Sequence, residues 1–149
     1  MKKVNVLNCK DFLSNLKLNK FDKETRAAII TNSMIANKIA KDFNETVEEA
    51  RARYVEGLDS EIELLVSLRN KYQSASVEAK LEIEGEILEK CTEALAAERE
   101  LAEFIDGILN EEVTESFIKI NKESFVNQCA DADIEITAML LDQISELFS

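Results

Sequence analysis

Apolar residues recur along the middle of this chain at steps of three and four. Ala28, Ile35, Ile39, Phe43, Val47, Ala50 and Tyr54 fall on one stripe, which predicts a long amphipathic helix. Asp22 precedes that run as an N-cap, its carboxylate placed to accept from unpaired backbone N–H groups. Thr46 with Glu49 makes a capping box that could restart the helix, and Gly57 is where it should end, since glycine takes a left-handed C′ conformation at least cost. Ser60 with Glu63 predicts the start of a second helix carrying Ile62, Leu65, Leu68 and Tyr72. Ser74-Ala75-Ser76 is a weak point, where the helix either restarts or passes through.

Beyond it the period changes to seven. Leu81, Leu88, Leu95, Ala102 and Leu109 form one row, and Ile87, Ala94, Leu101 and Ile108 form a parallel row one position earlier. A sustained heptad keeps one face toward a partner helix. Two adjacent rows are wider than a two-stranded coiled coil needs, so the expectation is bundle packing with apolar surface left for self-association, most simply as a dimer. These nine residues are the candidate interaction seam. Glu84 and Glu98, at core-like positions either side of Cys91, are expected at the seam's edge, reaching water.

Both ends of the chain carry a similar phrase, "VLNCKDFLSNL" (6–16) and "FIKINKESFVNQC" (117–129). Each reads as a short extended segment entering a helix, with Asn8 and Asn121 as N-caps and Phe12 and Phe125 one turn in, facing the core. Residues 3–7 and 116–120 could then pair as a minor two-stranded element. The last segment, Asp133 to Phe148, predicts another amphipathic helix, capped by Thr137 or Asp133. The expected fold is therefore mainly α: one domain over 1–149, with residues 23–109 as a helical hairpin or bundle and residues 1–22 and 110–149 as a small head.

Composition fits that picture. The chain has 149 residues, no proline and three glycines, so long helices can run uninterrupted. The three cysteines are far apart and odd in number, which suits free thiols in a reducing cytoplasm better than a disulfide framework or zinc site. No apolar run is long enough for a membrane span, and no apolar signal core follows Lys2-Lys3. Charge is uneven. Residues 1–22 hold five positive and two negative side chains, residues 23–56 balance at six each, residues 57–109 hold five against thirteen, and residues 110–149 two against nine. A surface at net −12 repels phosphate backbones, so direct nucleic-acid binding is not expected.

The chemistry is informative through what is missing. There is no histidine, which removes Ser-His and Cys-His nucleophile activation and the histidine ligands of di-iron bundles. The glycines are isolated, so no phosphate loop is present. Glu82, Glu86, Glu89 and Glu93 line one side of a helix, a pattern that reads as a solvated face rather than a catalytic or metal site. Carboxylates alone would favour only hard cations such as Ca²⁺ or Mg²⁺. No enzyme activity, cofactor or metal is expected.

The segments "LKLNKFDKETRAAIITNSMIANKIAKDF" and "IKINKESFVNQCADADIEITAMLLDQISELF" together resemble small helical proteins encoded by phages and prophages, in which an extended-to-helix element near each end brackets longer helices. The likeness covers about half of the chain and rests on texture, so no functional residues transfer. It implies a phage or mobile-element setting, in the host cytoplasm or the virion. In that setting the chain would be a self-associating structural or assembly component, or an acidic inhibitor that binds a host protein as a nucleic-acid or polyanion mimic.

Overall fold

The computed structural model describes all residues from 1 to 149. Seven α-helices follow one another: α1 (Lys3–Asn15), α2 (Lys23–Tyr54), α3 (Asp59–Gln73), α4 (Val77–Lys90), α5 (Thr92–Leu109), α6 (Lys122–Asp131) and α7 (Ala138–Gln143). Short 3₁₀ turns lie at Leu18–Lys20 and Ser145–Leu147, and no strand forms. The fold is all-α. No helix is long and apolar enough to cross a membrane.

The chain divides into two compact units, residues 1–45 with 108–149 and residues 46–107. The first joins both terminal segments to the first part of α2. Its core gathers the two similar phrases in one place. Phe125 is fully buried, stacks on Phe21 at 5.6 Å, meets Phe12 edge-on at 6.4 Å and touches Phe148 at 5.3 Å. Cys9 and Cys129, each three residues before or four after its phenylalanine, are buried in the same cluster.

The two phrases nevertheless adopt different local structures. Asn121 caps α6, its side chain accepting from Ser124 N at 2.8 Å, as expected. Asn8 caps nothing. It sits exposed inside α1, and residues 3–7, expected as extended, are helical. The reason is that Val6, Cys9, Leu13 and Leu16 recur at helical spacing and are all buried, which outweighs the short Val4/Val6 alternation. The expected pairing of 3–7 with 116–120 is therefore absent. Two isolated bridges replace it, Lys2 with Glu112 and Ile120 with Phe148. In the second, Ile120 N donates to Leu147 O at 2.8 Å and Ser149 N to Ile120 O at 3.0 Å.

Two polar devices hold this unit. Asp22 caps α2: Thr25 N donates to its Oδ1 at 2.8 Å, and Gln128 Nε2 donates to its Oδ2 at 2.6 Å while Gln128 Oε1 accepts from Asp22 N at 2.7 Å. The Thr25 amide, helped by Gln128 and the Thr25 hydroxyl, holds the Asp22 carboxyl below the ordinary aspartate range. A depressed folded-state pKa contributes stability that is present above the unfolded value of about 3.9 and lost as pH falls through the folded value. The stability difference between wild type and Asp22→Asn, measured by urea unfolding at several pH values, should therefore be present at neutral pH and shrink as pH falls below the unfolded value of about 3.9.

The second device is Asn32. It is fully buried on the inner face of α2 between Ala28 and Ala36, and its amide clamps one residue of the extended segment after α5. Its Nδ2 donates to Ile118 O at 2.9 Å and its Oδ1 accepts from Ile118 N at 2.8 Å. A buried amide must find partners or cost stability, and here both ends are satisfied.

Helix boundaries follow capping chemistry only in part. Gly57 takes φ +78° just beyond α2, as expected, and α2 runs straight through Thr46. The Ser60/Glu63 box is not used: α3 starts at Asp59 with no side-chain cap. The C-terminal helix is shorter than expected. Asp133 takes φ 54° after α6, and only Ala138–Gln143 is α-helical, capped by Thr137 through Leu140 N at 3.1 Å.

Candidate interaction surface

Residues 46–107 build the second unit. Its core is Leu65 and Leu68 of α3 with Cys91 and Ala94, edged by Ile62, Ile83, Ile87 and Leu95. The weak point at Ser74-Ala75-Ser76 is a true break. Ser76 caps α4 by accepting from Ala79 N at 3.3 Å. A second break, which the heptad pattern hides, falls at Cys91 between α4 and α5. Glu61 compensates the interrupted backbone there, its carboxylate accepting from Ala94 N at 2.7 Å. Arg69 grips Glu98 with two bonds of 2.7 and 2.8 Å, and the Tyr72 hydroxyl donates to Glu84 at 2.8 Å. Glu84 and Glu98 thus lie exposed at the edge, each with a partner that spacing alone did not reveal.

The two heptad rows have different fates. In the row Ile87, Ala94, Leu101 and Ile108, Ala94 and Ile108 are buried and the other two half-buried. In the row Leu81, Leu88, Leu95, Ala102 and Leu109, Leu95 and Leu109 are half-buried and Ala102 is exposed, while Leu81 and Leu88 stand 67% and 70% exposed. The helix that carries the nine residues is interrupted at Cys91. The structure instead extends the exposed part of the outer row toward the start of α4, where Val77 is 73% exposed. Val77, four residues before Leu81, was the available signal.

On a helix turning about 100° per residue, positions 77, 81, 85 and 88 form one row. Gly85 occupies its middle, and a Cβ built there would meet nothing within 4 Å. A glycine inside a helix costs about 1 kcal/mol relative to alanine, and here no close approach within the unit requires it. The row is therefore apolar side chains around a gap, with no cover.

A shorter apolar pair lies on α2 in the first unit, where Ile30 and Met34 are 41% and 68% exposed beside a groove lined by Leu13, Leu16 and Leu18. A cavity of about 290 Å³ in the first unit is lined by Asp22, Thr25, Ile118, Asn121 and Ser124 among others. Several of its polar groups are already engaged: Gln128 donates to Asp22 and Ser124, Asn121 accepts from Ser124 N, and Lys119 donates to the Glu146 carbonyl. No nucleophile there faces a base. The thiols are equally inert. Burial pushes Cys9 and Cys129 up to about 11 and raises Cys91, so all three are protonated at neutral pH. No group of three or more His, Cys, Asp or Glu side chains is arranged to hold a metal ion.

No protein-family model, curated protein or solved structure matches this chain.

Proposed function

We propose that this chain is a non-enzymatic protein that acts by protein–protein interaction, and that its working surface is the outward face of α4. The observation carrying this reading is the uncovered row Val77, Leu81 and Leu88, each about 70% exposed around an open glycine. Single exposed aliphatics are ordinary, whereas an aligned row of them on one helix is what a helix partner needs. The phage or mobile-element setting implied by the terminal segments is consistent with an assembly component or an inhibitor of a host protein, working in the host cytoplasm or the virion.

Self-association as a dimer is the second reading, favoured by the two-row pattern. Its magnitude is limiting. A symmetric pair would bury six such side chains; at about 1.5–3 kcal/mol for complete burial of each, scaled by the roughly 70% of each that is exposed, the gross gain is about 6–12 kcal/mol. Association itself costs about 4–15 kcal/mol. A homodimer through α4 alone is therefore expected to be weak, with a dissociation constant on the order of 100 µM or above.

Photo-crosslinking from position 81 or 88 in the cells that produce the chain tests the reading. The expected result is an adduct from these positions and none from Lys38 or Glu48, which are exposed on α2. An adduct at twice the 16.8 kDa chain mass identifies a second copy, and another mass identifies a different protein. Equal crosslinking from all positions, or none from 81 and 88, overturns the proposal.

A further inference from the structure

The outward face of α4 carries a second pattern, which identifies the chemistry of its occupant; the inference rests on the reading just given. Each exposed apolar residue is followed by a glutamate: Val77-Glu78, Leu81-Glu82 and Leu88-Glu89, with Gly85-Glu86 completing the series. At about 100° per residue this lays an acidic row alongside the apolar one for the length of the helix. Glu78, Glu82 and Glu89 are exposed and none is in an ion pair. The two lysines of α4 are engaged elsewhere. Lys90 pairs with Glu86 at 2.9 Å, and Lys80 lies over the Tyr72 ring at 5.0 Å. The face is thus an aliphatic strip edged on one side by carboxylates, of which Glu86 is paired with Lys90, Glu89 lies in the field of the same lysine, and Glu78 and Glu82 have no ion-pair partner.

An antiparallel second copy fits this face poorly. In an antiparallel two-fold pair the same flank of each helix meets, which sets one Glu row beside the other. Like charges at that spacing oppose pairing. We propose instead that α4 docks a basic amphipathic helix of another protein. An aliphatic row on that helix would cover Val77, Leu81 and Leu88, with one side chain entering the gap at Gly85. Its adjoining Lys or Arg row would meet Glu78, Glu82 and Glu89.

The test uses the full chain and a synthetic Leu/Lys amphipathic peptide of about 14 residues, long enough to match α4. Binding is followed by fluorescence anisotropy at about 50 mM and about 500 mM salt. The expected result is measurable affinity at low salt that weakens roughly tenfold or more at high salt. Leu81→Ser with Leu88→Ser keeps every charge and should weaken binding roughly tenfold or more. Glu78→Gln, Glu82→Gln and Glu89→Gln together should weaken it roughly tenfold and remove most of the salt dependence. All these positions are exposed, so circular dichroism should show the helical content unchanged.

Failure of the wild type to bind overturns the inference. Equal binding by the Leu variant overturns it too, since attraction to an acidic protein in general would then suffice, and so does indifference to the Gln variant. If the peptide fails while position 81 or 88 crosslinks at twice the chain mass, the interaction reading survives with a copy as occupant. If neither is seen, both readings fall.

Discussion

Replacing Phe125 by Ala is expected to remove about 3–5 kcal/mol from the stability of the first unit, the usual cost of truncating a buried aromatic to Ala. Phe125 is 1% exposed and is the one ring in contact with three others, those of Phe12, Phe21 and Phe148, which come from three separate stretches of the chain. Truncation opens a cavity where α1, the turn before α2, α6 and the C-terminal segment meet. Folded domains are stable by only about 5–15 kcal/mol in total, so the variant should lie close to unfolding at room temperature. Phe125→Leu keeps most of the volume and should cost less than half as much. Urea unfolding followed by far-UV circular dichroism measures both. A loss below about 1 kcal/mol for the Ala variant would mean the aromatic cluster is not the keystone of this core.

The second large effect is expected at Asn32. Asn32→Ala strands the N–H and C=O of Ile118, each bonded only through that amide among the hydrogen bonds described above. An unsatisfied partly buried group costs about 1–3 kcal/mol, so the two together should cost about 2–6 kcal/mol, less whatever water recovers at the half-open Ile118. Asn32→Asp separates the hydrogen-bond role from size. The carboxylate can still accept from Ile118 N but faces the Ile118 carbonyl without a proton to donate. Burial favours its neutral form, so its folded-state pKa rises above the unfolded one, and stability is lost as pH rises through that interval. The Asp variant should be closest to wild type in acid and worst at neutral pH. Hydrogen exchange at the Ile118 amide reports the same loss locally.

Much of the fold was legible because helices declare themselves locally. The stripe through α2, the Asp22 cap, the stop at Gly57 and the caps at Asn121 and Thr137 rest on interactions within four residues, which a sequence displays directly. The readings that missed depend on partners distant in sequence. Residues 3–7 alternate like a strand, but burial of Val6, Cys9 and Leu13 against other segments makes them helical. The heptad at 81–109 continues unbroken in the sequence, yet the helix breaks at Cys91, where Glu61 from α3 caps the new start. The polar clamp at Asn32 interrupts an apolar face by one residue, a signal too small to read without its partner at Ile118. The candidate surface was half visible: Leu81 and Leu88 lay in the outer row, and Val77, Gly85 and the adjoining glutamates emerge once the exposed face of α4 is known.

The three thiols offer a use that has nothing to do with reactivity in the folded state. Cys9 and Cys129 are sealed in the core of the first unit and Cys91 in that of the second, each protonated and covered. An alkylating reagent can reach them only when the surrounding core opens, so the labelling rate of each becomes a clock for local unfolding. Because the clocks are divided between the two units, mass spectrometry of partly labelled chain would tell which unit loosens first, with no engineered probe.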